Sequence, residues 1–207
     1  MKRFVSVCIT GVDGTGKSTA VKRLSDYFGN EKSEIQYMGS KNWETRMAEK
    51  YLSKPGKMYS LTEKIYGKWI LIFEMYKRVY KHAGSDKLII FDRYVDEQAL
   101  WYRTEKATFK GKLVQLLYTV IFTKCFYRPT ITFYLMCDVS VSVKRKDDIA
   151  GLSGIDDLRR IKNVFDDYYI PLKDVIKIDT SSTGIEDTVD IILKHMEEKR
   201  CFSTFLK

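Results

Sequence analysis

Gly11-Val12-Asp13-Gly14-Thr15-Gly16-Lys17-Ser18 stands between an apolar run, Phe4, Val5, Val7, Cys8 and Ile9, and a helical repeat, Ala20, Val21, Leu24 and Phe28. This stretch decides the fold. Its pattern, G-x-x-x-x-G-K-[ST], is that of a loop that cradles the phosphates of a nucleoside triphosphate. Gly11, Gly14 and Gly16 let the backbone turn tightly and point its N–H groups inward. Lys17 reaches for the β- and γ-phosphates, and the Ser18 hydroxyl is placed for Mg²⁺. Asp13, Thr15 and Thr19 lie in the same nucleotide-holding stretch. The helix that follows turns its positive end on the anion. The apolar run is short enough for a buried strand, and Gly29 is a stop signal for the helix. Strand, glycine-rich loop and helix, in that order, is the context the pattern requires.

The chain has 207 residues, 44% hydrophobic and 30% charged, with 3 prolines and no internal repeat or low-complexity tract. These values fit one α/β domain over residues 1–207 with a large core. Met1-Lys2-Arg3 followed by apolar residues looks superficially like a signal peptide, but the run is short and leads straight into the glycine loop. The most apolar stretch elsewhere, Leu113 to Phe122, falls well short of the roughly 20 residues that span a bilayer. It reads as a buried or subunit-interface helix, with interfacial membrane contact through Lys106, Lys110, Lys112 and Lys124 as the alternative. Cys8, Cys125, Cys137 and Cys201 form no C-x-x-C pair, so neither a zinc site nor a disulfide frame is indicated. Cys8 and Cys137 read as packing residues in a reducing cytoplasm. His82 and His195 fall near helix ends, where a helix-dipole contact is expected rather than catalysis. The net charge of +9 has three readings: nucleic-acid binding, a solvated lysine-rich surface, or a lining for polyphosphate substrates. No arginine-rich groove or aromatic nucleic-acid motif accompanies it, so a nucleic-acid partner is not expected.

Strand and helix signals alternate along the chain. Ile35 to Met38 is a short strand. Ser60 and Glu63 form a capping-box pattern before a long helix whose apolar face carries Ile65, Trp69, Ile72, Phe73, Tyr76 and Val79, with Gly84 as its stop. Lys87 to Phe91 is a strand that ends in Asp92-Arg93-Tyr94. Helices are expected over Asp96 to Lys106 and Lys112 to Phe122. Thr130 to Met136 is a strand, followed by a helix through Val143 and a loop from Lys146 to Gly154. A helix from Asp156 to Tyr169 and a strand from Val175 to Ile178 come next. Thr183 and Glu186 form a second capping box before a helix with Ile185, Val189, Ile192 and Met196 on one face. The alternation implies a parallel sheet covered on both faces, with ligands at the carboxyl ends of its strands.

Asp92-Arg93 falls at such an end. A carboxylate there can organise Mg²⁺ or its waters, and an arginine can hold a second phosphate bidentately. With the Gly11, Asp13, Gly16, Lys17, Ser18 loop and Asp92-Arg93-Tyr94, the chain resembles the thymidylate kinase family over nearly its whole length. Pro129-Thr130-Ile131-Thr132, Ser142-Val143-Lys144-Arg145 and Ile178-Asp179-Thr180 match further family segments in part.

The resemblance implies a P-loop kinase fold, a five-stranded parallel sheet with a short lid. It also implies transfer of the ATP γ-phosphate to a deoxynucleoside monophosphate, most simply dTMP, with Mg²⁺ held at Ser18 and Asp92. In that reading Asp13 meets the sugar 3′-hydroxyl and Arg93 the acceptor phosphate. Phe73 stacks on the base, flanked by Lys77 and Arg78, and Gln98 faces it. Trp101 stands near the sugar. Some family members carry a catalytic arginine directly after the loop acid, where this chain has Gly14. The resemblance therefore sends that role to the lid side, bracketed by Arg145, Arg159 and Arg160. It also implies a homodimer. Tyr37-Met38-Gly39-Ser40, Glu97, Trp101 and Thr130 depart from the family pattern, and all but Thr130 bear on the acceptor pocket. A deoxynucleoside kinase and a non-catalytic ATP-binding regulator remain the alternative readings.

Overall fold

The computed structural model describes residues 4–39, 61–104, 109–145 and 154–199, with 202, 203 and 205. Its sheet has five strands: β1 (Ser6–Gly11), β2 (Ser33–Tyr37), β3 (Leu88–Asp92), β4 (Ile131–Met136) and β5 (Val175–Asp179). All pair in parallel, in the order β2-β3-β1-β4-β5. Among the described residues the helices are α1 (Lys17–Phe28), α2 (Leu61–Tyr80), α3 (Asp96–Thr104), α4 (Phe109–Lys124), α5 (Val139–Arg145), α6 (Gly154–Tyr169) and α7 (Ile185–Glu197). The expected α/β architecture is the observed one. The loop expected from residue 146, with its lid, falls mainly on residues 146–153, outside the described residues, as does Ser60 of the first capping box.

Side chains alternate across the sheet with the period of two that a strand imposes. Val7 and Ile9 of β1, Leu88 and Ile90 of β3, and Ile131, Phe133 and Leu135 of β4 pack with Ala20, Leu24 and Phe28 of α1 and with Val189, Ile192 and Met196 of α7. Cys8, Ile89 and Phe91 point the other way, to Leu71, Met75 and Val79 of α2, Ala99 of α3 and Phe122 of α4. Tyr134 joins Leu100 with Leu158, Ile161, Phe165 and Tyr169 of α6. Both faces are covered, which is why the strands read as nearly continuous apolar runs.

Two expectations are corrected. The buried stripe of α2 is Leu71, Met75 and Val79, whereas Trp69, Phe73 and Tyr76 are exposed. Both stripes are apolar at helical spacing, so periodicity alone did not select the inner one. The second capping box does not form. Gly184, extended at φ −65°, is the N-cap of α7, and no side chain caps it. His82, just past the end of α2, is buried beside β2, with Nε2 3.4 Å from Gln36 and Nδ1 3.6 Å from Glu34. Burial lowers its pKa, and Glu34 opposes that. Cys8 and Cys137 are buried, as expected of packing residues.

The chain leaves β1 for β2 on one side of the sheet and passes from β3 across β1 to β4 on the other. The carboxyl ends of β1 and β3 thereby form the crevice where ligands of such sheets bind. Ile9 lies opposite Asp92 in the register, bringing the glycine loop beside Asp92-Arg93.

Candidate active site

Residues 12–16 join β1 to α1. Gly11, Gly14 and Gly16 have φ of 149°, 83° and 88°. Two of them have no room for a side chain. A Cβ on Gly11 would meet the Leu135 carbonyl, and one on Gly14 would lie 2.6–2.8 Å from Ser142 of α5. Thr15 Oγ1 donates to the Val12 carbonyl at 2.9 Å, and Thr180 Oγ1 donates to the Thr15 carbonyl at 3.1 Å, tying the loop to the turn after β5. Gly16 caps α1 without a side-chain bond, and the first turn of α1 holds no acid. Its N–H groups are thus left to an anion. Ser18 and Thr19 open the helix on its exposed side.

Lys17 is 5% exposed, with Nζ 2.5 Å from the Val12 carbonyl and 3.9 Å from Asp13. Burial, and next the positive charge of Arg93, lower its pKa from 10.5 to about 7, against the pull of Glu97, Asp13 and Asp92. Ser18 Oγ donates to Asp92 Oδ2 at 3.0 Å, while the buried Asp92 Oδ1 has no hydrogen-bond partner. This is a hard-oxygen pair with one acceptor unspent, which suits Mg²⁺. That ion takes one or two protein oxygens and completes its shell with phosphates and water. No cluster of three or more acidic, histidine or cysteine ligands occurs among the described residues.

Arg93 has φ 70°, a left-handed conformation rare for a non-glycine residue, and its N–H donates to the Ile9 carbonyl at 3.0 Å. Its side chain is 14% exposed. Nη2 donates to Asp13 and Nη1 to Glu97 at 2.7 Å. Burial alone would lower the guanidinium pKa, but Glu97, Asp13 and more weakly Tyr37 outweigh it and hold the charge. Glu97 is 1% exposed; its other oxygen accepts from Thr10, whose hydroxyl lies 3.4 Å from that of Tyr169. Tyr94 is a structural anchor, donating to the Tyr127 carbonyl.

The structure brings together Asp13, Lys17, Ser18, Asp92 and Arg93. Phe73 is exposed on α2 with Lys77 Nζ 4.7 Å over its ring, and Arg78 follows, half-buried. Gln98 is buried beside Glu97 on α3. Trp101 packs edge-on against Phe165 of α6, centroids 6.2 Å apart. Arg145 turns to the end of β5, its Nη2 2.7 Å from the Thr180 carbonyl and its Nη1 3.7 Å from Cys137 Sγ. Arg159 and Arg160 bond back to Asp156 and Asp157 at 3.2 and 2.8 Å on the exposed first turn of α6.

Sequence reasoning set Glu97 at the acceptor pocket as a departure from the family pattern but gave it no partner, and it gave no role to Thr10. The available signal was Thr10 itself, a polar residue in a buried strand that needs a polar partner. Asp96, at the start of α3, was missed too. Burial, then Glu97, pushes its carboxyl up to about 7, and its Oδ1 is buried without a hydrogen-bond partner. It lines a cavity with Thr130, Arg128, Tyr168 and Lys199 at the amino ends of β4 and β5, away from the glycine loop.

The thymidylate kinase family profile matches residues 9–192. The fold is shared with deoxyadenosine kinase from M. mycoides with bound dATP, at TM-score 0.69 and 13% identity over 93% of this chain and 100% of that one. It is shared equally with thymidylate kinase from Candida albicans, at TM-score 0.69 and 16% identity over 95% of this chain and 92% of that one. Comparison with curated protein sequences gives no match. The glycine loop, the Ser18–Asp92 pair and the profile agree: the chain belongs to the thymidylate kinase family and is an ATP-dependent phosphotransferase.

Proposed function

We propose that the chain moves the γ-phosphoryl group of ATP to a nucleoside monophosphate, with dTMP as the foremost acceptor. The observation that carries this reading is the pair of cations on one carboxylate: Lys17 lies 3.9 Å from Asp13, and Arg93 bonds the same group. A cation for each of two phosphate-bearing ligands sits at one crevice. Phosphoryl transfer asks mainly that two anions be aligned and the charge between them neutralised.

In this reading the loop N–H groups and Lys17 hold the triphosphate, and Thr15 and Thr180 keep the loop in shape. Ser18 and Asp92 hold Mg²⁺, which, when bound, neutralises charge on the phosphoryl oxygens. Arg93 receives the acceptor phosphate and Asp13 the sugar hydroxyl. Phe73 offers its face to the base, with Lys77, Arg78 and Gln98 around it and Trp101 behind the sugar. Arg145, held at the Thr180 carbonyl, is one of the three lid-side arginines. Arg159 or Arg160 serves the transition state. Their exposed i,i+3 pairs are worth only about 0–1 kcal/mol, so either is released cheaply. Such an arginine supplies on the order of 10³–10⁵-fold in related transfers. The exposed Leu116, Leu117 and Val120 of α4 favour a homodimer, which sedimentation tests. No helix among the described residues is long and apolar enough to cross a membrane.

A second reading, phosphorylation of a neutral deoxynucleoside, is favoured by the two carboxylates that already offset Arg93. An ADP-release assay over dTMP, dUMP, dCMP, dGMP, UMP and thymidine separates the two. Turnover of dTMP supports the first, turnover of thymidine alone the second, and no turnover refutes both.

A further inference from the structure

Arg93 is flanked by two carboxylates of very different standing. The Glu97 side chain is 1% exposed and Asp13 is 40% exposed. They occupy different nitrogens of the guanidinium fork, Nη1 and Nη2. Glu97 is braced from behind. The Thr10 hydroxyl donates to its Oε1, and the Tyr169 hydroxyl stands next in that chain. Thr10 reaches Glu97 because strand alternation sends it, with Cys8, to the α3 side of the sheet.

We infer that Glu97 is a positioning residue that fixes one side of Arg93 permanently, and that Asp13 is an exchangeable partner on the other, displaced when the acceptor phosphate arrives. This inference rests on the reading of Arg93 as the acceptor-phosphate cation. Removing Arg93 from Glu97 would strand a carboxylate away from water, which is strongly unfavourable. Removing it from Asp13 strands nothing. The phosphate replaces one anion by another on the same nitrogen, and Asp13 turns to water or to the sugar hydroxyl. The backbone adds to the asymmetry: at φ 70°, with its N–H on Ile9, Arg93 enters the crevice from a fixed point. Glu97 therefore sets the direction from which the acceptor phosphate is met, and does so without touching it.

Two measurements test this on the full chain. The first reads the guanidinium N–H resonances of Arg93 by NMR, assigned through their loss in Arg93→Lys. Glu97→Ala is expected to speed their exchange with water by roughly tenfold or more, whereas Asp13→Asn changes it by less than about threefold. Equal exchange in Glu97→Ala and wild type overturns the positioning role. Equal acceleration in both variants overturns the fixed-versus-exchangeable division. The second measurement is kinetic. Glu97→Ala should raise the acceptor KM by roughly tenfold or more while moving the ATP KM less than about twofold, with Glu97→Asp between it and wild type. A parallel rise in both KM values overturns the inference. Should Glu97→Ala not fold, Glu97→Gln and Glu97→Asp carry the same comparisons. Should wild type transfer to no acceptor, the functional reading fails by itself, and the exchange measurement still decides the role of Glu97.

Discussion

Ser18 Oγ donates to Asp92 Oδ2 at 3.0 Å and leaves the other Asp92 oxygen buried with no hydrogen-bond partner. The first residues of α1 and the last of β3 thus share one polar contact across the crevice. Asp92→Asn keeps an acceptor for Ser18 and removes the charge. We expect kcat to fall on the order of 10²–10³-fold and the Mg²⁺ concentration for half-maximal turnover to rise. Turnover within about twofold of wild type at ordinary Mg²⁺ would take Asp92 out of the chemistry.

Lys17 makes the protein's response to pH asymmetric. Its pKa is lowered to about 7 by burial and by Arg93. Between about 7 and its unfolded value near 10.5, the unfolded chain carries a proton there that the folded chain lacks, so this site's contribution to stability rises with pH through that window. Below about 7 both states are protonated and the contribution is flat. A polyphosphate favours the ammonium form, so ATP binding at about pH 8.5 should take up a proton and weaken as pH rises. Calorimetry in two buffers of different ionisation enthalpy measures the uptake. No uptake would mean that Lys17 is charged before ATP arrives.

Much of this arrangement is legible in the sequence because it is local. Gly11 to Ser18 carries its conformation in its own glycines, and the apolar runs announce buried parallel strands without any tertiary information. What escaped is set by contacts between distant segments. Glu97 acquires its meaning only when Thr10 and Arg93 lie beside it, and one of two adjacent acids at the start of a helix looks like an ordinary first-turn residue. The partner of Arg145 is likewise invisible in its basic Lys144-Arg145-Lys146 run, because the Thr180 carbonyl comes from the end of β5. On α2 the two apolar stripes compete, and the sheet's preference for Leu71, Met75 and Val79 leaves the aromatic residues outside.

The two stripes of α2 should therefore separate folding from substrate binding. Met75 is fully buried, and Met75→Ala is expected to cost about 2–5 kcal/mol in urea denaturation. Phe73 is 56% exposed, and Phe73→Ala should change stability by less than about 0.5 kcal/mol while raising the acceptor KM severalfold. An unchanged acceptor KM in that variant would remove Phe73 from the pocket.

Gly14 and Gly16 share a left-handed backbone but not their surroundings. A Cβ on Gly14 would press on Ser142 at 2.6–2.8 Å, whereas the nearest atom to one on Gly16 is Ile185 Cδ1 at 3.9 Å. Gly16→Ala should cost only backbone strain, about 1–2 kcal/mol, and Gly14→Ala about 2–4 kcal/mol because packing strain is added. Equal losses by denaturant titration would show that α5 yields freely.

The contact between Gly14 and Ser142 also bears on the routes open to this sequence in evolution. A side chain at position 14 requires the loop and α5 to change together, since each holds the other's place. Such a step is epistatic: the first substitution alone is penalised, and its merit appears only in the background of the second. An arginine inside the glycine loop is thus remote from this chain by single substitutions.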